Sequence, residues 1–398
     1  ASDVYKRQEL EDHLTNVDIQ ADDIEGLASF ALEQGIDLTI VGPEDPLVNG
    51  ITDRFNDLGL KCFGPSKGAA QLEGSKEFMK DFLQRHHIPT AEYSSFSDTE
   101  RAIEYVEQKG CPIVIKADGL AAGKGVTIAH TVEEAKEAIY QSLESKVFGE
   151  AGKKIVIEEF LDGEEASFIV MTDGTNVIPF ASSQDHKALE DNDKGPNTGG
   201  MGAYSPAPIV DEYVHEKIMN EIIFPTLKGL RKDGYKYCGF LYAGMMIDKN
   251  KKLKVLEFNC RFGDPETQPI MMRLKSDLAS LCDQACDDNL IEQPLEWDSR
   301  KAIGVVLAAR GYPHGYAKGK DITNIPLEKD DLKIFHAGTK IESNSLKSNG
   351  GRVLCVTSLG DSVESAQNKA YDAISEIEWE DAFYRKDIGY RAIARERK

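Results

Sequence analysis

Hydrophobic positions along the chain alternate between helical and strand periodicity, a pattern that predicts an α/β protein. Apolar residues at helical spacing predict a helix over 24–34, and Ile36, Leu38, Ile40 and Val41 predict a short buried strand over 36–41. That strand runs into Gly42, Pro43 and Glu44, a loop of the kind at which open α/β sheets bind ligands. A helix over 47–58, a strand at Cys62 and Phe63, and a long helical region from Gly64 to Leu83 complete this unit.

A second unit begins near Pro89. Strands are predicted over 113–116 and 126–128, on either side of a glycine-rich loop, and a helix over 132–143. Two more strands are expected over 154–159 and 166–171. Residues 182–208 are polar, glycine-rich and too long for an ordinary connection, which predicts a functional or mobile segment. A helix over 213–230 leads to strands over 239–248 and 253–258, joined by a hairpin signal at Lys249, Asn250, Lys251 and Lys252. After Trp297, strands over 302–309, 333–336 and 352–358 and a helix over 365–375 predict a small α+β C-terminal domain.

Composition narrows the class. A chain of 398 residues holds two or three domains. The net charge of -21 excludes a nucleic-acid surface, which needs a basic footprint, while leaving room for a local basic pocket around a small anion. No stretch approaches the ~20 apolar residues of a membrane span, so a cytoplasmic protein without a membrane partner is expected. The seven cysteines are widely spaced and fit reduced thiols. Cys282 and Cys286 could share a helical face, but no second pair completes a zinc site. Residues 1–8 read as a polar leader without continuity to the α/β pattern that begins near Glu9.

Three segments carry chemistry. The loop after Lys116 contains Gly119, Gly123, Lys124 and Gly125, whose backbone N–H groups could approach phosphates. It is not a P-loop: the spacing is short, and Gly125 stands where Ser or Thr is required. Taken alone, a tight hairpin explains it equally well. Lys116 ends an apolar strand and needs an anion if it is buried. Glu257 and Asn259 lie two apart on a strand and so face one side, an oxygen pair suited to Mg²⁺, and Arg261 continues that face. Taken alone, a solvated edge strand would look the same. The third segment joins Asp185, His186 and Lys187 to Asn197, Thr198, Gly199 and Gly200, a cluster that a flexible surface loop would also explain.

In this order and spacing, these segments resemble the ATP-grasp superfamily, and within it the glycinamide ribonucleotide synthetase family. Further matching runs are 39–44, 72–76, 158–165, 256–271, 336–339, 350–354 and 385–389, so the likeness covers nearly everything after residue 10. The resemblance implies ATP-dependent joining of glycine to 5-phosphoribosylamine through a glycyl phosphate, with ATP and Mg²⁺ or Mn²⁺ as cofactors. It places Lys76 and Lys116 on the nucleotide under a flap at 119–125. Glu158, Phe160 and Leu161 would take adenine, and Glu165 the ribose hydroxyls. Glu257 and Asn259 would hold the metal, while Arg261 and Asp264, with the 197–202 loop, would hold the phosphoryl group and glycine. Gly42, Pro43, Glu44, Asp185 and Lys187 join the substrate set.

The implied architecture is a truncated Rossmann-like unit with a linker helix over 9–88, an ATP-grasp domain over 89–296 and a C-terminal α+β domain over 297–398. Within the ATP-grasp domain, 89–160 would form a small subdomain covering the nucleotide. The chain departs from the pattern twice. No carboxylate occurs over 243–247, where many ATP-grasp enzymes carry a further metal ligand. The family's opening strand and its Gly-Gly-Arg-Glu-His loop are also missing, which predicts low stability or weak activity for the chain as written. Another ATP-grasp ligase, biotin carboxylase-like or carboxyaminoimidazole ribonucleotide synthetase-like, and an inactive nucleotide-binding form remain alternatives. A monomer is compatible with the sequence.

Overall fold

Caps and glycines set the element boundaries of the first unit. The computed structural model describes residues 15–120, 125–145, 147 and 149–397. The helix Ile24–Gln34 starts where the Asp23 carboxylate accepts from the Gly26 N–H at 2.9 Å, and ends at Gly35 in the left-handed conformation. The expected strand over 36–41 shrinks to Thr39–Ile40, parallel to Cys62–Phe63. The expected helix over 47–58 is two helices, Glu44–Asn49 and Ile51–Asp57, divided at Gly50, whose φ of +97° only glycine adopts without strain. Ser75 is extended and likewise interrupts the long helical region, leaving Gln71–Gly74 and Lys76–Arg85.

This unit shares one core with the large antiparallel sheet beside it. Leu47, Phe55, Leu72 and Phe82 pack in the same cluster as Phe168, Leu241, Met245 and Val255. The sheet runs in the order Leu253–Asn259, Gly239–Ile247, Glu164–Thr172, Val177–Pro179. A smaller four-stranded sheet stands over it, in the order Tyr93–Phe96, Ile155–Glu159, Ile113–Ala117, Val126–Ala129. Helices Thr99–Lys109 and Val132–Leu143 cover one of its faces through Ala102, Val106, Ala135 and Ile139. The predicted helix over 213–230 is continuous from Glu212 to Lys232, with a π turn at Met219–Ile223 just before Pro225.

The stretch 182–208 is not a free loop. Its strands Gln184–Asp185 and Gly202–Ser205 extend the C-terminal sheet, and Gly202–Ser205 pairs with Lys301–Ala309. Arg352–Gly360 and Leu332–His336 continue that sheet outward, and the helix Val363–Glu376 packs on it. A hairpin, Ala188–Glu190 with Lys194–Asn197, projects from the strand end that holds Asp185.

Candidate functional site

The two central sheets face each other across a cleft, and the C-terminal sheet closes one end. Polar walls come from Lys116, Glu158, Glu165, Asp185, Lys187, Glu257, Asn259, Arg261, Asp264 and Arg352. An apolar slot lies between Val114, Val126 and Ile128 on the upper sheet and Met246 and Leu256 on the lower, with Phe160 and Leu161 at its edge. Ile128, on a paired strand, and Phe160, just past a strand end, are 41% and 37% exposed, as expected if they line an open slot.

Lys116 has the anion its burial requires, but a protein group supplies it. Its ammonium lies 2.9 Å from one oxygen of Glu158, and Lys80 lies 2.9 Å from the other. Lys80 also donates to Thr90 Oγ1 at 2.7 Å, and burial pushes its ammonium down to about 8 against the pull of Glu158. The side chain of Glu158, assigned to adenine on resemblance, is therefore engaged in an ion pair at the back of the cleft.

Strand alternation brings Glu257 and Asn259 to one side of the lower sheet, and Arg261, two residues past the strand end, joins them in the cleft lining. The Lys187 ammonium lies 3.2 Å from Glu257 and 2.8 Å from Glu165. Lys187 above all, with Lys116 and Lys76, outweighs burial and holds the Glu257 carboxyl down to about 2. Burial disfavours the charge on Lys187, yet Glu165, Glu257 and Asp185 together raise it well above its ordinary value. Asp185 is pushed up to about 8 by burial, although Lys187 opposes this. The Asn259 amide turns its NH₂ to Glu73 Oε1 at 2.9 Å, so what it can offer a ligand is its carbonyl oxygen.

Arg261 has three protein partners. It reaches Glu44 at 2.9 Å, Glu73 at 3.0 Å and the carbonyl of Phe262 at 3.1 Å. Burial raises the Glu73 carboxyl to about 7, against the attraction of Arg261. Asp264 is held by Arg352 at 2.7 Å, and Arg352 also donates to the carbonyl of Gly199 at 2.6 Å. Tyr242 Oη meets Ser167 Oγ at 3.0 Å, and that serine hydroxyl donates to Glu266 at 2.8 Å.

Of the residues singled out in the sequence, Glu44, Lys116, Glu158, Phe160, Leu161, Glu165, Asp185, Lys187, Asn197, Thr198, Gly199, Glu257, Asn259, Arg261 and Asp264 line this cleft. Gly42, Pro43, Lys76, Gly119, Gly125 and Gly200 stand outside its lining. Lys76 donates to the Gly119 carbonyl at 3.0 Å, and burial lowers its ammonium. Gly119 borders a separate hollow with Asp45, Asn49, Ala151 and Lys154. Gly200 supports Thr198, whose hydroxyl accepts from its N–H at 3.0 Å. Gly123 and Lys124 fall outside the described residues, as does the leader 1–8.

The motifs point to Phe160 and Leu161 at the slot's edge but to no role for Arg352, Tyr242, Glu73, Glu266 or the rest of the apolar slot. Arg352 and Glu73 sit inside runs already noted, next to glycines, and Ile128 stood out only by its place on a strand. Among the described residues no group of three or more His, Cys, Asp or Glu could hold a metal. All seven cysteines are free thiols; of the pair Cys282 and Cys286, whose spacing suggests two buried small apolar residues, Cys282 is buried and Cys286 only partly so. No described helix is long and apolar enough to cross a membrane.

Comparison with known proteins agrees with this arrangement. The phosphoribosylglycinamide synthetase N domain matches residues 6–73, its ATP-grasp (A) domain residues 74–267, and its C domain residues 302–391. The chain is 60% identical over 390 residues to a phosphoribosylamine–glycine ligase of Vibrio vulnificus, covering 98% of this chain and 91% of that protein. The crystal structure of the phosphoribosylamine–glycine ligase of Thermotoga maritima superposes with a TM-score of 0.81 at 35% identity, over 91% of this chain and 88% of that one. The biotin carboxylase domain of Hydrogenobacter thermophilus 2-oxoglutarate carboxylase, solved with MgADP and bicarbonate, reaches 0.72 at 18% identity, over 93% and 81%. That last likeness is one of fold.

Proposed function

From the premise that the chain belongs to the phosphoribosylglycinamide synthetase family, we propose how its cleft carries out the reaction. The chain is a phosphoribosylamine–glycine ligase of purine biosynthesis, a three-domain ATP-grasp enzyme acting on small molecules. Its family binds ATP with a divalent metal.

In the proposed sequence, a glycine carboxylate oxygen attacks the γ-phosphorus and ADP leaves. The ribosylamine nitrogen then attacks the glycyl phosphate carbonyl, loses its proton, and phosphate departs. No protein nucleophile is needed, so the chain's part is positioning and charge placement. The slot of Val114, Val126, Ile128, Phe160, Leu161, Met246 and Leu256 takes the adenine, and Glu165 the ribose hydroxyls. Lys116, held by Glu158, presents its ammonium to the phosphates. Lys76 and the 119–125 segment are assigned to the phosphates as well.

Glu257 and Asn259 would hold the metal, which when bound supplies charge neutralisation at the phosphates. The fit rests on a carboxylate kept ionised and an amide whose oxygen is free to ligate. Two protein oxygens completed by phosphate and water suit Mg²⁺, with Mn²⁺ as a substitute. Lys187, Asp185, Asp264 and the Asn197, Thr198 and Gly199 segment face the space where the carboxylate and phosphoryl group meet. Arg261 sets the position of Glu44 beside it. Gly42 and Pro43 complete the substrate set. The enzyme is read as cytoplasmic, a reading that its free thiols support, and a monomer is compatible with the sequence.

The observation that carries this reading is the Glu257 carboxylate, which lines the cleft beside Asn259 with the Lys187 ammonium 3.2 Å away. Phosphate release from MgATP plus 5-phosphoribosylamine is expected to require glycine and to ignore bicarbonate. Release triggered by bicarbonate would overturn the reading.

A further inference from the structure

Arg385 is fully buried outside the cleft lining, and its charge is spent on the projecting hairpin. Its guanidinium grips Asp387 at 2.8 and 2.9 Å, Asp193 at 2.9 Å and the Ala188 carbonyl at 3.1 Å. Asp387 accepts from the Asn192 N–H at 2.8 Å, and the Lys386 N–H donates to Asp191 at 2.8 Å. Tyr390 and Arg391 reach Asp193 at 2.6 and 2.7 Å. A segment nearly two hundred residues downstream thus clasps the outer side of the hairpin whose base carries Asp185 and Lys187.

The clasp meets the strand at one side chain. Asp185 and Lys187 line the cleft, and His186 between them points to the opposite face, 3% exposed. The Gly389 N–H donates to His186 Nε2 at 2.9 Å, so that nitrogen carries no proton and the ring proton sits on Nδ1, 3.9 Å from Asp193. The ring is flanked by Tyr204 and Tyr390. The neighbouring backbone is fixed as well: the His186 N–H donates to the Gly202 carbonyl, and the Lys187 carbonyl accepts from both the N–H and the hydroxyl of Thr198.

We infer that His186 is a positioning residue: by accepting from Gly389 it locks the C-terminal segment 385–391 to the strand that aims Lys187, and with it the Thr198 turn, into the cleft. The inference rests on the reading given under Proposed function. A displacement of Lys187 by about 1 Å is enough to cost on the order of 10²-fold in rate.

Two substitutions separate positioning from mere stability. In His186→Gln the amide oxygen stands near the place of Nε2 and can still accept from Gly389. In His186→Asn it is one methylene short. The full-length asparagine variant is expected to lose at least tenfold in kcat/KM for glycine, and the glutamine variant is expected to recover most of the loss. Equal defects in the two variants, or an asparagine variant with wild-type glycine kinetics, would overturn the inference. If the asparagine variant does not fold, the glutamine variant decides: wild-type glycine kinetics support the role, and a defect refutes it. A wild-type enzyme without glycine-dependent phosphate release would instead overturn the proposed function.

Discussion

Lys80 and Lys116 hold opposite oxygens of a single carboxylate, each ammonium 2.9 Å from Glu158. The two partners in the deeper pair are 0% and 2% exposed, so water does not screen them. Glu158→Gln removes the shared counter-charge and leaves two buried ammonium groups facing a neutral amide. Breaking a buried pair from one side costs about 3–5 kcal/mol. The urea midpoint is expected to drop accordingly, and nucleotide affinity to weaken as Lys116 loses its anchor. An unchanged midpoint would mean that the carboxylate does not hold the two lysines in place.

Removing the oxygen pair tests the metal assignment. Glu257→Gln and Asn259→Ala are each expected to lower kcat by about 10²-fold, in line with loss of one preorganised electrostatic group. They should also raise the Mg²⁺ concentration needed for half-maximal rate. Chelation of divalent ions is expected to abolish turnover in the wild type. A double variant with full activity would end this assignment.

Gly200 tests how tightly the turn is built. Its φ is +108°, and an added Cβ would lie 2.3 Å from Pro265 Cδ. Gly200→Ala therefore meets both backbone strain, about 1–3 kcal/mol, and a steric clash beside Asp264. Thermal unfolding should move down by several degrees, and kcat should fall by tenfold or more.

Asp193 sets an acid limit. His186 first, then Tyr390, Arg391 and Arg385, hold its carboxyl far below the usual range against partial burial. With a folded value below the unfolded one, its contribution is fully present above pH ~4 and is lost as pH falls further. Asp193→Asn is expected to cost about 1–2 kcal/mol at pH 7, discounted because the side chain is 30% exposed. The difference from wild type should shrink toward pH 3, as read from urea midpoints at the two pH values. A gap that widens in acid would reverse the sign and refute the account.

The sequence conveyed local structure better than long-range pairing. Strand and helix periods identified the elements around Lys116 and Glu257, because hydrophobic alternation there reflects burial on one face of a sheet. The helix expected over 47–58 broke at Gly50, a residue present in the sequence but not read as a divider. Residues 182–208 lacked periodicity because their short strands are buried by partners such as Lys301–Ala309, a hundred residues away. Long separations also hid the tie of Arg352 to Asp264, 88 residues apart, and that of Arg385 to Asp193, nearly two hundred apart. The motif at 257–261 revealed which residues share a face, but not that Arg261 spends its charge on Glu44 and Glu73.

The strand Gly202–Ser205 belongs by sequence to the middle of the chain and by pairing to the sheet at its end. A cut near residue 300 would therefore separate no independent module. It would strip one piece of a strand and unseat the residues that face the reacting groups in the other. Recombination between relatives can trade this last region only together with the segment that feeds into it, so the two should descend as one heritable block.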